Sequence, residues 1–237
     1  MATYKEIHGT NVEVIAGDPS NPIEGQVWYN STSSAIKGFL INPGSWATGN
    51  NLNAIQYAGT GAGIQTSALA FGGLEGPQAT TELYNGTSWT EVNDLNLGRN
   101  FLAGAGATNT AALAIGGGPG GKDETETWNG TNWTEVNNLT TGRRNLEGCG
   151  TNTAALAFGG ENPGTAFINA TETWNGTNWT EVNDLNTARD ALAGCGTSTA
   201  ALAFGGRTPT TVAVTETWNG TNWTEVNDLG TARYHLA

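Results

Sequence analysis

The sequence predicts an all-β chain folded as a β-propeller, and three observations carry that prediction. One phrase, TETWNGTNWTEVN, begins at Thr125, Thr171 and Thr215, and it returns at Thr81 as TELYNGTSWTEVN. The second aromatic of each copy falls at Trp89, Trp133, Trp179 and Trp223, spacings of 44, 46 and 44 residues. A period in the forties without helical periodicity is that of propeller blades. Three landmarks keep step with it: a glycine pair (Gly72-Gly73, Gly116-Gly117, Gly159-Gly160, Gly205-Gly206), a first aromatic (Tyr84, Trp128, Trp174, Trp218) and an arginine (Arg99, Arg143, Arg189, Arg233).

Within one repeat, from Leu146 to Arg189, each strand has its own signal. Leu146 to Gly150 is Gly-rich, and its small residues suit the crowded region beside a propeller axis. Ala154 to Phe158 is an apolar run short enough to be a strand buried on both faces. Thr171 to Trp174 and Trp179 to Asn183 alternate polar and apolar residues, as half-buried strands do. Between them stands Asn175-Gly176, the pair that supplies two positive-φ residues to a tight type I′ hairpin turn. The tryptophans Trp128, Trp133, Trp174, Trp179, Trp218, Trp223 and Trp89 flank these turns and are expected to form the core between neighbouring sheets.

The amino-terminal segment aligns as a degenerate copy of the unit. Val12 to Gly17 lies on ALAFGG, Val27 to Asn30 on TETWN, and Ser45 to Ala47 on NWT, with Trp46 one period before Trp89. The expected organisation is therefore residues 1–51 as a degenerate blade, closure and docking segment, and 52–237 as four full repeats. The ring is expected to have five four-stranded blades, closed by a shared blade whose first strand runs from Arg233 to Ala237.

Composition excludes several classes of function. The chain has 9 basic against 21 acidic residues and a net charge of −12, the opposite of the basic footprint that displaces counterions from nucleic acid. The same balance disfavours anionic membrane surfaces, and no stretch is apolar and long enough to span a bilayer. MATYKEIHGT carries no apolar run of the kind a secretory signal needs, so no such signal is expected. Cys149 and Cys195 share the phrase GCG one repeat apart, where the preceding repeat has Ala105, and are expected to be small buried residues.

An apolar strand ending in Gly-Gly, a spaced pair of aromatics and a following arginine, recurring from Leu52 to Ala237, resembles the kelch repeat. That resemblance implies a kelch-like β-propeller that binds a partner through the loops of one face. A narrower resemblance lies in DPSNPIEGQVWYNSTSSAIKG, Asp18 to Gly38, followed by Thr/Asn/Gly-rich repeats. This combination is similar to virion structural proteins of marine tailed bacteriophages, described as tail or fibre components. It implies a protein assembled in the host cytoplasm and located in the virion, with other virion proteins, copies of itself, or a host-surface glycan or protein as partners. A bacterial adhesin or carbohydrate-binding propeller is the alternative.

Catalytic chemistry finds little footing. His8 and His235 are the chain's two histidines, too few for a copper oxidase site. One arginine per blade spreads around a ring and does not converge as a sialidase triad would. The repeated Glu91, Glu135, Glu181 and Glu225 stand beside tryptophans on alternating strands, where a solvated or arginine-paired structural role is expected. No metal, cofactor or catalytic residue is expected, and the chain is read as a non-enzyme. The stretches after each Gly-Gly (Leu74 to Ala79, Gly118 to Asp123, Glu161 to Asn169, Arg207 to Val212) change completely between repeats. In an up-and-down sheet they share a face with the arginine-bearing loops. The binding candidates are therefore Arg99, Arg143, Arg144, Arg189, Arg207, Arg233, Glu161 and Asn162; the repeat arginines are equally suited to bonding carbonyls or carboxylates between blades.

Overall fold

In the computed structural model, residues 13–20, 26–38, 50–54, 56–73 and 79–235 are described, and every regular element among them is a β-strand. The chain divides into two compact units, Met1–Thr48 and Gly49–Ala237.

The first unit holds β1 (Glu13–Ile15), β2 (Val27–Asn30) and β3 (Ala35–Gly38) in one three-stranded sheet. β2 and β3 form an antiparallel hairpin, whereas β1 pairs with β2 in parallel. The second and third strands of each full repeat run antiparallel, so this sheet departs from the repeat pattern at β1. The sheet is tied by Asp18, whose carboxylate accepts from Asn30 Nδ2 at 2.7 Å, Lys37 Nζ at 2.9 Å and Trp28 Nε1 at 3.2 Å. These donors, Lys37 foremost, hold Asp18 below the usual carboxylate range. Val12 and Ser45 to Ala47 lie outside the described residues.

In the second unit each full repeat is one four-stranded antiparallel sheet. The four are β4 (Thr60–Ile64) to β7 (Trp89–Glu91) through β5 (Ser67–Phe71) and β6 (Thr81–Tyr84); β8 (Ala103–Thr108), β9 (Ala111–Gly117), β10 (Lys122–Trp128) and β11 (Trp133–Val136); β12 (Glu147–Thr151), β13 (Ala154–Phe158), β14 (Thr171–Trp174) and β15 (Trp179–Glu181); and β16 (Ala193–Thr197), β17 (Ala200–Phe204), β18 (Thr215–Trp218) and β19 (Trp223–Val226). The all-β propeller architecture is as the repeat predicts, with five sheets among the described residues, four of them four-stranded.

The apolar second strands are the most enclosed, with Ala155 to Phe158 fully buried. The core consists of three clusters, one per joint between successive blades, and each contains both tryptophans of the later blade. The second tryptophan also ties the joint: Nε1 of Trp133, Trp179 and Trp223 donates at 3.0 Å to Oγ1 of Thr81, Thr125 and Thr171 in the blade before. First strands pack against one another in the order β4, β8, β12, β16. Glycine is required where they meet, since a Cβ on Gly104 would lie 2.7 Å from the Gly61 carbonyl oxygen.

The hairpin turns differ from the expected type I′. Trp174 pairs directly with Trp179, leaving a four-residue loop, and only its glycine, Gly176, has positive φ, at 91°. Asn175 Oδ1 instead accepts the backbone N–H groups of Thr177 and Asn178, each at 2.9 Å. The asparagine is selected for its side-chain acceptor, which makes an Asx turn. Two further expectations are corrected. Cys149 is buried with Sγ near the Thr197 carbonyl, but Cys195 is exposed. Residues 233–235 form no strand, and the last two residues of the proposed closing strand lie outside the described residues.

Candidate functional site at the axis

Each first strand is preceded by a residue in the left-handed region: Ala58, Phe101, Asn145 and Ala191 have φ between 50° and 58°, and His235 repeats the geometry after the last blade at 50°. Such backbone is costly for non-glycine residues. Here it is offset by a chain of hydrogen bonds in which the N–H of each residue donates to its predecessor's carbonyl: Phe101 to Ala58 at 2.7 Å, then Asn145 to Phe101, Ala191 to Asn145 and His235 to Ala191, each at 2.9 Å. The five residues form a collar around the mouth of an axial cavity of about 660 Å³, within the size range of small-molecule sites.

The cavity wall is mainly backbone and small or apolar side chains, including Leu102, Leu146, Ala191, Leu192 and Ala193. Its polar and aromatic features are Tyr57, Phe101, Asn145, Glu147 and His235, and among the described residues no lysine or arginine lines it. Glu147 breaks the blade pattern, standing where the other first strands carry Thr60, Ala103 and Ala193. Burial pushes its carboxyl up to about 8, partly countered by the Gly148 N–H. Burial likewise pushes the Cys149 thiol up to about 12, with the Glu147 charge adding to the effect. Asn145 Nδ2 donates to Asp190 at 3.2 Å, and because that carboxylate only accepts, the amide orientation is fixed. Asn145 Oδ1 is thereby left buried without a protein partner.

Outside the collar stands a ring of paired loops. Asn100, Arg144 and Asp190 bridge to Gly118, Glu161 and Arg207, which places the variable stretches and the arginine-bearing loops on one face. Arg144 Nε donates to Glu161 at 3.1 Å, and Arg207 makes a two-pronged contact with Asp190 at 3.1 and 2.8 Å. The two pairs occupy equivalent positions with opposite polarity, whereas Asn100 and Gly118 at the same place in the blade before are uncharged. Hydrogen bonding to Asp190 raises Arg207 above the ordinary arginine value, and its guanidinium lies 5.7 Å from the Phe167 ring and 5.9 Å from that of Tyr234. Asn162 Oδ1 accepts the Ala166 N–H at 3.0 Å and shapes its own loop. Residues 74–78 of the first variable stretch lie outside the described residues.

Arg99, Arg143 and Arg189 are corrected as face residues, because all three are fully buried. Each spans a joint to the third-strand glutamate of the next blade: Arg99 to Glu126 at 2.9 Å, Arg143 to Glu172 at 2.8 Å, and Arg189 to Glu216. Each also donates to a carbonyl of that blade, Gly116, Ala157 and Ala203 respectively. The second carboxylate oxygen takes a loop N–H from the preceding blade, from Asn96, Thr140 or Asn186. Burial lowers the pKa values of Arg99 and Arg143, and their glutamates oppose it. Arg233 is exposed and donates to the Thr231 carbonyl at 3.3 Å. These glutamates were missed in the sequence, although a TE dipeptide invariant in all four copies, in step with the arginine, was the available signal. Glu147, Asn145 and the cavity were missed too.

Among the described residues no group of three or more His, Cys, Asp or Glu side chains is placed to hold a metal ion. The structure of YjhT is similar to this chain, with a TM-score of 0.67 over 78% of this chain and 69% of that one, at 11% identity. The likeness shows the fold. It is a β-propeller, and propellers include both enzymes and binding modules. No family model matches the chain, and no curated protein matches it.

Proposed function

We propose that this chain is a non-enzymatic structural component of a bacteriophage virion, of the tail, a fibre or a capsid decoration, that meets a host-surface ligand or another virion protein through one propeller face. The observation that carries the reading is the joining of two parts: the Asp18 to Gly38 phrase, which resembles marine phage virion proteins, and an array of near-identical kelch-like repeats. The geometry supports a binding role over catalysis in one respect. The repeat arginines and their glutamates, the most numerous buried ionisable groups, satisfy each other within the joints. The exposed Glu91, Glu135, Glu181 and Glu225 stand one per blade.

Immunogold labelling of purified particles with antibody against the chain tests the proposal. Label on tail, fibres or capsid is expected; expression during infection with unlabelled intact particles overturns it. The carbohydrate-binding alternative is favoured by one observation, an axial cavity of small-molecule size, and the same unlabelled particles would make it the leading reading.

A further inference from the structure

The two ends of the array carry tyrosines at positions where its interior carries paired polar groups. The residue before the collar is Asn100, Arg144 or Asp190 at the joints between full repeats, and each of these bridges to a neighbouring loop. At the end positions it is Tyr57, before Ala58, and Tyr234, before His235. Their side chains are 54% and 45% exposed, and they are the two exposed aromatics among the described residues. The core gains little from rings left so open. Tyr57 lines the axial cavity directly. Tyr234 continues a chain of rings that starts in the cavity lining: Phe101 and His235 have centroids 6.3 Å apart, and His235 and Tyr234 5.0 Å. Beyond them the Arg207 guanidinium lies 5.9 Å from the Tyr234 ring and 5.7 Å from that of Phe167. An aromatic strip thus runs from the cavity to the variable loops.

Inside the cavity Glu147 stands half-buried, and its carboxyl takes the Gly148 N–H and keeps capacity for further partners. Burial holds it in its acid form at neutral pH, so it offers a donor as well as acceptors. The Tyr57 hydroxyl offers both too. These features select among ligands. A hydrocarbon would strip water from Glu147 and return no hydrogen bond. An anion finds no lysine or arginine in the lining among the described residues, and outside it Arg144 and Arg207 are already paired with Glu161 and Asp190. A net charge of −12 opposes nucleic acid as the stacked partner. A pyranose matches both halves of the site, because its C–H faces pack on aromatic rings and its hydroxyls each donate and accept. A strip longer than one ring matches successive sugars.

We propose that the axial cavity and the aromatic strip form one site for a neutral oligosaccharide, with the Glu147 carboxyl and the Tyr57 hydroxyl bonding sugar hydroxyls and the Tyr57, Phe101 and Tyr234 rings as packing faces. The site rests on the reading that this propeller face meets a host-surface ligand, and it gives that ligand a chemistry.

The test is an array of neutral oligosaccharides, matched uronic-acid and amino-sugar oligosaccharides and a proline-rich peptide, probed with the full chain, with titration calorimetry on the tightest binder. Neutral glycans are expected to be retained, at least about tenfold tighter than their acidic and amino counterparts. Tyr57→Ala and Tyr234→Ala should each weaken binding about fivefold or more while leaving the melting temperature unchanged, since both side chains are exposed. Glu147→Leu should weaken it about tenfold or more. No neutral glycan bound by the folded wild-type chain, preference for the acidic, amino or proline-rich ligand, or tyrosine variants that bind like the wild type would overturn the proposal. Labelling of particles is read separately. Labelled particles with no glycan bound would sink this site and leave the virion reading, and glycan binding by a chain that labels no particle would do the reverse.

Discussion

Replacing Arg143 by alanine tests the account of the joints most directly. The guanidinium is fully buried and donates to Glu172 at 2.8 Å, to the Thr141 carbonyl at 3.2 Å and to the Ala157 carbonyl at 3.3 Å. Without it the equally buried Glu172 keeps one N–H donor, that of Thr140, and carries an uncompensated charge. Removing one partner of a buried pair costs about 3–5 kcal/mol, which lowers the melting temperature of a chain this size by roughly 6–20 °C. Arg233→Ala is the matched control. The same repeat position is exposed there and holds one carbonyl, so its loss should stay within about 0.5 kcal/mol. Urea unfolding followed by tryptophan fluorescence reads both, with the midpoint moving and the slope unchanged. The double variant Arg143→Met with Glu172→Met separates pairing from packing, because replacing both partners by apolar groups is often neutral or better. Equal, small losses for Arg143→Ala and Arg233→Ala would refute the reasoning, as would a double variant worse than either single one.

Three further outcomes follow from the same geometry. Trp179→Phe removes the donor to Thr125 Oγ1 and should cost about 1–3 kcal/mol, whereas Trp89→Phe, at the half-buried end of the array, should cost less than about 1 kcal/mol; equal losses in urea unfolding would contradict the joint. Rewriting the blade-three pair in the polarity of blade four, Arg144→Asp with Glu161→Arg, should restore most of the stability that Arg144→Asp alone removes, a coupling of about 0.5–3 kcal/mol in a double-mutant cycle. Glu147 has a folded-state value raised to about 8 against roughly 4.3 unfolded. The native state thus holds the extra proton, and stability falls as pH rises from about 4.5 to 8, by at most about 5 kcal/mol. Glu147→Gln should flatten that stretch of the pH–stability curve, and an unchanged slope would show the carboxyl to be solvated.

What the sequence made legible follows from what a repeat averages over. The strand positions, the interblade tryptophans and the shared loop face recur in every copy, and their physical causes are local: alternation, small residues at the axis, turn chemistry. The Arg143 to Glu172 pair joins groups about thirty residues apart in different blades, so strand alternation does not report it, and only the blade period shared by the TE dipeptide and the arginine does. The Asn-Gly turn misled for the opposite reason. The dipeptide has a strong local association with type I′ turns, but Thr177 and Asn178 extend the loop and give the Asn175 side chain two N–H groups to bind. The axial site was illegible because it is made of departures from the repeat. Glu147 and Asn145 belong to one copy of the four, and it is the packing of first strands side by side that encloses the cavity they line.

The joint also dictates what the two ends of the array must look like. If each blade presents a threonine, an apolar second strand and an arginine forward, and a tryptophan and a glutamate backward, the last blade must show an unsatisfied forward face. It does: Leu202 is 39% exposed where Leu69, Leu113 and Leu156 are buried, and Cys195 and Arg233 are exposed where their counterparts are enclosed. At the other end Glu82 is fully buried, because Asn53 and Ala54 give its carboxylate the N–H groups that Asn96 and Leu97 give Glu126. Asn50 Nδ2 donates to the Thr87 carbonyl as Asn93 donates to that of Thr131. The repeat's bonding thus reaches back to Asn50, into what corresponds to the end of a preceding blade, and forward to His235 in the collar. One position in that register departs from it. Gln56 stands where the arginine belongs, with its buried Nε2 unpartnered, so among the described residues Glu82 is held by loop amides in place of the arginine that pairs its counterparts at the three joints between full repeats.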